Sequence, residues 1–164
     1  MATALSSPFY HDLGFDPATI GIVAKNAALW PAIIGGILGA VIIVKIGINK
    51  ALWLFGVVQV LTILGFAWLS NVGADVTVLA VVIAAEYLGV GLGTAASVAF
   101  IARETSKLAA ATQFALLTAV AALPRTVATS VTGLIVDNVG WTDFFYLCAV
   151  LALPGMALLY WVAP

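Results

Sequence analysis

Very little of this sequence is charged. Of 164 residues only 8% are Asp, Glu, Lys or Arg, against 64% hydrophobic. Soluble domains carry roughly 25% charged residues, so a water-facing surface is excluded for most of the chain. There is one cysteine, Cys148, which excludes an internal disulfide and a Cys-rich metal site. The one histidine, His11, stands alone in a loop-like stretch and is assigned no role. No nucleophile–base pair and no metal-ligand cluster is visible, so the chain does not read as an enzyme, and no cofactor or metal is expected. The formal net charge is −1 and there is no basic cluster, which excludes nucleic acid as a partner. The stretch "MATALSSPFYHD" lacks a basic n-region and an apolar h-region, so it does not read as a signal peptide.

What is present is hydrocarbon in long runs. A helix needs ~20 apolar residues to cross a bilayer core. Five runs reach that length: Ala18–Ile46, Lys50–Ser70, Val76–Ala102, Ala109–Val136 and Trp141–Val162. They are separated by "IGINK", "NVGAD", "RETSK" and "DNVGW", short breaks rich in Gly, Asn or charge. The expected class is an all-α integral membrane protein with lipid around it. Trp30, Trp53, Trp68, Trp141 and Trp161 lie mostly near span ends, as interfacial anchors do.

The loop charges sort by side. Lys45, Lys50, Arg103 and Lys107 fall on one side; Asp12, Asp16, Asp75, Asp137 and Asp143 fall on the other. The positive-inside rule puts the N-terminus outside and the C-terminus in the cytoplasm. An outside N-terminus without a translocation signal implies a helix upstream. Residues 1–17 are then an external loop or the tail of that missing helix, and residues 18–164 the five-helix transmembrane part. The chain is expected to be a C-terminal fragment or a split gene product.

Three charges lie inside the spans: Lys25, Glu86 and Arg125. A charge at the bilayer centre costs roughly 2.5–3.5 kcal/mol on insertion scales, so it faces a partner or a water-filled path. At a rise of ~1.5 Å per residue Glu86 is ~15 Å and Arg125 ~18 Å from the outer ends of their spans. The expectation is that they meet near the midplane as a proton-coupling ion pair. The plainer alternative is a buried structural pair with no substrate. Glu86, Gly89 and Gly93 share a stripe with Ser97, and Gly35 and Gly39 are spaced alike in the first span; both stripes are expected to pack closely on other helices. Pro124 frees a carbonyl beside Arg125. Lys25, Gln59, Gln113, Thr118 and Thr129 are candidates for lining a substrate path, and Thr62 adds to the polar patch at Gln59.

A weak internal repeat joins two loops. "GLIVDNVGW" spaces Gly133, Asp137 and Gly140 as "AVIIVKIGINK" spaces Ala40, Val44 and Gly47, with Lys50 just beyond. Val44 and Asp137 are 93 residues apart, about the length of three spans. An odd number of spans reverses orientation, the pattern of an inverted repeat in secondary transporters.

"AEYLGVGLGTAASVAF", "ATQFALLTAVAALPR", "GWTDFFYL", "LPGMALL" and "ALWLFGVVQVLTILGFAWLS" together resemble the AmpG-type muropeptide permeases of the major facilitator superfamily. The matches run in order from "PFYHDLGF" almost to the last residue. The resemblance implies uptake of anhydromuropeptides, cell-wall breakdown products, across the bacterial inner membrane with protons. It implies that these are the last five of twelve core helices, the missing helix being the first of the C-terminal six-helix bundle. Glu86 matches the acid before the family's Gly-rich run, with Tyr87 in place of the usual Asn. Arg125 matches the Arg of its Gly-Arg pair, with Pro124 in place of Gly, and Lys25 and Gln113 match recurrent polar positions. The implied partners are a small-molecule substrate and the N-terminal helices of a permease. The alternative is a degenerate permease fragment serving as an accessory subunit of a larger membrane complex.

Overall fold

The computed structural model describes residues 6–73, 75–106 and 109–162; within its helices the side chains of Ser6, Ser7, Ala24, Arg125, Ala128, Val131 and Val162 lie outside that description. All described elements are helices: α1 (Ser6–Asp12), α2 (Pro17–Ile46), α3 (Ile48–Val72), α4 (Val76–Glu104), α5 (Ala110–Val139) and α6 (Trp141–Val162). The five long helices match the expected spans to within three residues at every end.

The helix ends have local chemical causes. Pro17 starts α2, and Asp16 accepts a bond from the Ala18 N–H at 3.1 Å. Asp75 caps α4 by accepting from the N–H groups of Thr77 at 2.8 Å and Val78 at 3.2 Å. Gly47, Gly73 and Gly140 stop α2, α3 and α5 at φ of 86°, 86° and 80°, a region that a side chain disfavours. Gly47 and Gly140 also start the next helix, because the N–H groups of Ala51 and Phe144 bond to their carbonyls. The two copies of the loop repeat are thus single-glycine corners between consecutive helices. Gly73 stops its helix in the same way, so helix-stop chemistry accounts for what the two loops share.

α2, α3, α4 and α6 are each long and apolar enough to cross a membrane. In α5 the apolar portion among the described residues is Ala110–Pro124. Beyond it come Arg125, Thr126, Thr129, Ser130 and Thr132. α4 lies at the centre, packed on α2 and α3, and α3 packs in turn on α6. α5 touches α4 and α6 more lightly.

The bundle has two apolar clusters. The larger gathers Phe9, Tyr10 and Phe15 with Phe66, Ile83, Phe144 and Phe145. Phe9 is fully buried and meets Phe145 edge-on at 4.9 Å, so the stretch expected as a loop or tail carries a short helix seated in the core. Trp141 Nε1 donates to Asp12 at 3.0 Å, tying α1 to α6. The smaller cluster, Ala51, Phe55, Leu92 and Ala96, fills the other end between α3 and α4. At that end Arg103 Nη1 donates to Asn49 Oδ1 at 2.7 Å, so the two Lys/Arg-bearing corners lie together. At the opposite end the hydroxyls of Ser70 and Thr142 are 2.8 Å apart.

Candidate functional site

The one acid within the apolar run of α4 is Glu86, 2% exposed. Its burial follows from the two helices at that level. Leu79, Val82 and Ile83 bury the preceding turns of α4 against α3 and the aromatic cluster, and Glu86 continues the same face. α3 meets it with the polar pair Gln59 and Thr62. Thr62 Oγ1 lies 2.6 Å from Glu86 Oε2 and 2.9 Å from the Gln59 main-chain carbonyl, with Gln59 Nε2 3.3 Å from the same hydroxyl. The Gln59 side chain reaches the acid through the Thr62 hydroxyl. No buried side-chain nitrogen or oxygen among the described residues lacks a hydrogen-bond partner. A buried acid in this setting is neither lipid-facing nor orphaned. From α6, the buried Cys148 joins the cluster that holds Val82 and Ile83 on this face.

Glycines allow the helices to come this close. A Cβ on Gly89 would lie 3.2 Å from Gln59 Oε1, so the bare position leaves room for the amide. On the other side of α4, a Cβ on Gly35 would collide with the Leu88 carbonyl, and one on Gly39 would sit 3.0 Å from the Ala95 Cβ. The reciprocal contact is made by Gly91, where a Cβ would strike the Ala32 carbonyl and come 2.8 Å from the Gly36 nitrogen. Gly93 is a correction to the sequence expectation: nothing lies within 4 Å of where its Cβ would be. Gly93 turns away from α2, where Leu88, Gly91, Leu92 and Ala95 point, and one turn past Gly89 no other helix comes within 4 Å of its Cβ position.

The other expected site residues are dispersed. The Arg125 side chain lies outside the described residues, so its pairing with Glu86 is carried forward as a proposal. Lys25 is exposed on α2. Gln113 accepts a bond from the Ser106 N–H at 2.8 Å, which ties it to the corner between α4 and α5. Thr118 is exposed on α5 and returns its hydroxyl to the Phe114 carbonyl at 2.7 Å. Thr129 is half-buried, and its carbonyl accepts from Thr132 at 2.7 Å. Lys50, Gly133 and Asp137 are exposed. The structure thus brings Gln59 and Gly89 to Glu86 and leaves Lys25 and Thr118 on the outer surface. Thr62 and Gly91 are the two residues whose parts the sequence did not assign. Both were in view, as a hydroxyl one turn from Gln59 and as the middle of a Gly-x-Gly-x-Gly run, but their partners depend on how neighbouring helices are rotated.

No family model matches the chain. Over 99% of its length it is 51% identical to an uncharacterized protein of Haemophilus influenzae, of which it spans 40%. It is 33% identical, again over 99% of its length, to the putative transporter AmpG 4 of Rickettsia conorii, spanning 39% of that protein. It is 32% identical over 96% of its length to the anhydromuropeptide permease of Escherichia coli K12, of which it spans 32%. The chain therefore covers well under half the length of the curated relatives it matches. Along almost all of that span, the multi-pass membrane chain is a homologue of the AmpG-type permeases.

Proposed function

We propose that the chain works as the C-terminal part of a proton-coupled permease, of the major facilitator type, that imports anhydromuropeptides across the bacterial inner membrane. It is a transporter and not an enzyme. Glu86 is the acid that takes and releases the coupled proton, and Arg125, at similar depth on α5, is the charge it meets during the cycle. The observation that carries this reading is the burial of an ionisable acid, 2% exposed, in the middle of an apolar helix. Such a group is expensive in a membrane and is kept where ions or protons move. The relatives named transporter and permease supply the substrate class. The polar run of α5, with Thr118 and Thr129, together with the exposed Lys25 of α2, is assigned to the substrate path. Gln113 braces the cytoplasmic mouth of that path. The corners at Lys50 and Arg103 are placed in the cytoplasm and Asp75 and Asp143 in the periplasm, following the one-sided Lys and Arg.

The test is accumulation of labelled anhydromuropeptide by cells under an imposed pH gradient, beside binding measured without one. Gln keeps the shape and hydrogen bonding of Glu but cannot release a proton, so Glu86→Gln is expected to abolish gradient-driven accumulation and to leave binding within about threefold, below the tenfold of one 1.4 kcal/mol interaction. Accumulation equal to wild type would reject the coupling role and leave Glu86 as a packing residue.

A further inference from the structure

The hydrogen bonds around Glu86 point to a function for its neighbour. A threonine hydroxyl has one proton to donate and two lone pairs that accept. The Thr62 hydroxyl nevertheless faces two acceptors, Glu86 Oε2 at 2.6 Å and the Gln59 carbonyl at 2.9 Å, and one donor, Gln59 Nε2 at 3.3 Å. It cannot donate to both acceptors fully. The conflict has two resolutions, one for each protonation state of the acid. With Glu86 ionised, Thr62 donates to the carboxylate. With Glu86 protonated, the carboxyl O–H donates to Thr62 Oγ1, and Thr62 turns its own proton to the Gln59 carbonyl. Every donor and acceptor of the hydroxyl is then used.

We propose that Thr62 is the proton-responsive positioning residue of Glu86, a hydroxyl that reverses its hydrogen bond when the acid gains or loses its proton, so that the buried group is satisfied in both states without moving a helix. The proton comes from and returns to water, and the only covalent bond made or broken is the carboxyl O–H. The use of this device in transport rests on the proton-coupled reading above. The other groups facing the acid do not supply the same reversal. Gln59 directs its amide N–H to the Thr62 hydroxyl and its amide oxygen toward Gly89, and Cys148 of α6 is a weak donor. Lys25 of α2 is exposed, and the Arg125 side chain of α5 lies outside the described residues.

The experiment is infrared difference spectroscopy of the native protein in lipid during a pH step, with Glu86→Gln to identify the carboxyl band. A protonated acid that donates a hydrogen bond absorbs at a lower wavenumber than one that does not. Thr62→Val is expected to move the Glu86 band up, and Thr62→Ser to leave it at the wild-type position. A band unmoved in Thr62→Val overturns the proposal. If the valine protein does not fold, the wild-type band decides alone: a position typical of a free, non-donating acid overturns it, and a lowered one supports it. A purely packing role for Thr62 changes thermal stability but has no reason to shift this band with Val and spare it with Ser. Normal accumulation by Glu86→Gln would instead defeat the coupling reading, whatever the band does.

Discussion

At the scale of single residues, the molecule depends on positions where a side chain is missing. α2 and α4 approach until main-chain atoms touch, and Gly35 and Gly91 sit at the contact. Packing of bare backbone against backbone is a main source of cohesion where lipid tails are as apolar as leucine. Adding one methyl group at Gly35 or Gly91 meets a carbonyl that cannot swing aside, and overpacking of this kind costs about 1–3 kcal/mol. Gly35→Ala and Gly91→Ala are expected to lower thermal stability in detergent by that amount. Gly93→Ala, with nothing within 4 Å, is expected to leave it unchanged. A melting curve for each variant checks the order; equal losses at Gly91 and Gly93 would contradict the assigned face of α4. The same comparison shows what was legible. The Gly89-x-x-x-Gly93 spacing announced close packing, but the sequence does not encode that Gly91, between them, is the one that touches α2. That depends on the angle at which α2 crosses, set by side chains elsewhere in the bundle. Glu86 was legible because an acid among valines and alanines has few resting places. Its bond to Thr62 was not, since it requires the relative rotation of α3 and α4.

At the scale of elements, the helices follow from composition and their ends from capping. The five long helices were readable because each is an apolar run closed by Gly, Asn, Asp or a charged stretch, and three of those glycines hold the positive φ that stops a helix. In sequence the stretch holding α1 reads only as an external loop or the tail of an upstream helix, because seven residues are too few to show a helical period. Its burial comes from Phe9 meeting aromatics more than fifty residues away. α1 is therefore expected to contribute to stability out of proportion to its length. Phe9→Ala removes a fully buried aromatic and is predicted to cost about 3–5 kcal/mol, read as a loss of folded protein after detergent challenge. No change would mean that α1 is not seated on Phe66 and Phe145. The end of the bundle with Arg103 and Asn49 makes a topological prediction. In a Cys148→Ala background, single cysteines at Lys50 and Ser106 are expected to resist a membrane-impermeant thiol reagent in intact cells, whereas cysteines at Asp75 and Asp143 react. Labelling at Lys50 from outside would reverse the orientation drawn from the lysines and arginines.

At the scale of the whole molecule, two features stand beside each other. One is a tightly packed group of α2, α3 and α4 holding a buried acid; the other is α5, lightly attached, with its apolar portion ending near Arg125. In the proposed cycle Glu86 is separated from and rejoined to a charge on α5 across this lightly packed boundary. In the proposed function protons move with substrate, and Glu86 is the place where the proton would rest. The most direct test uses proteoliposomes of the native protein with a pH indicator in the external medium and no imposed gradient. Adding anhydromuropeptide is expected to make the medium more alkaline as substrate enters, because each turnover carries a proton inward. In Glu86→Gln the pH change is expected to vanish while bound substrate persists. Substrate-driven alkalinisation of wild-type size in the Gln protein would contradict the account.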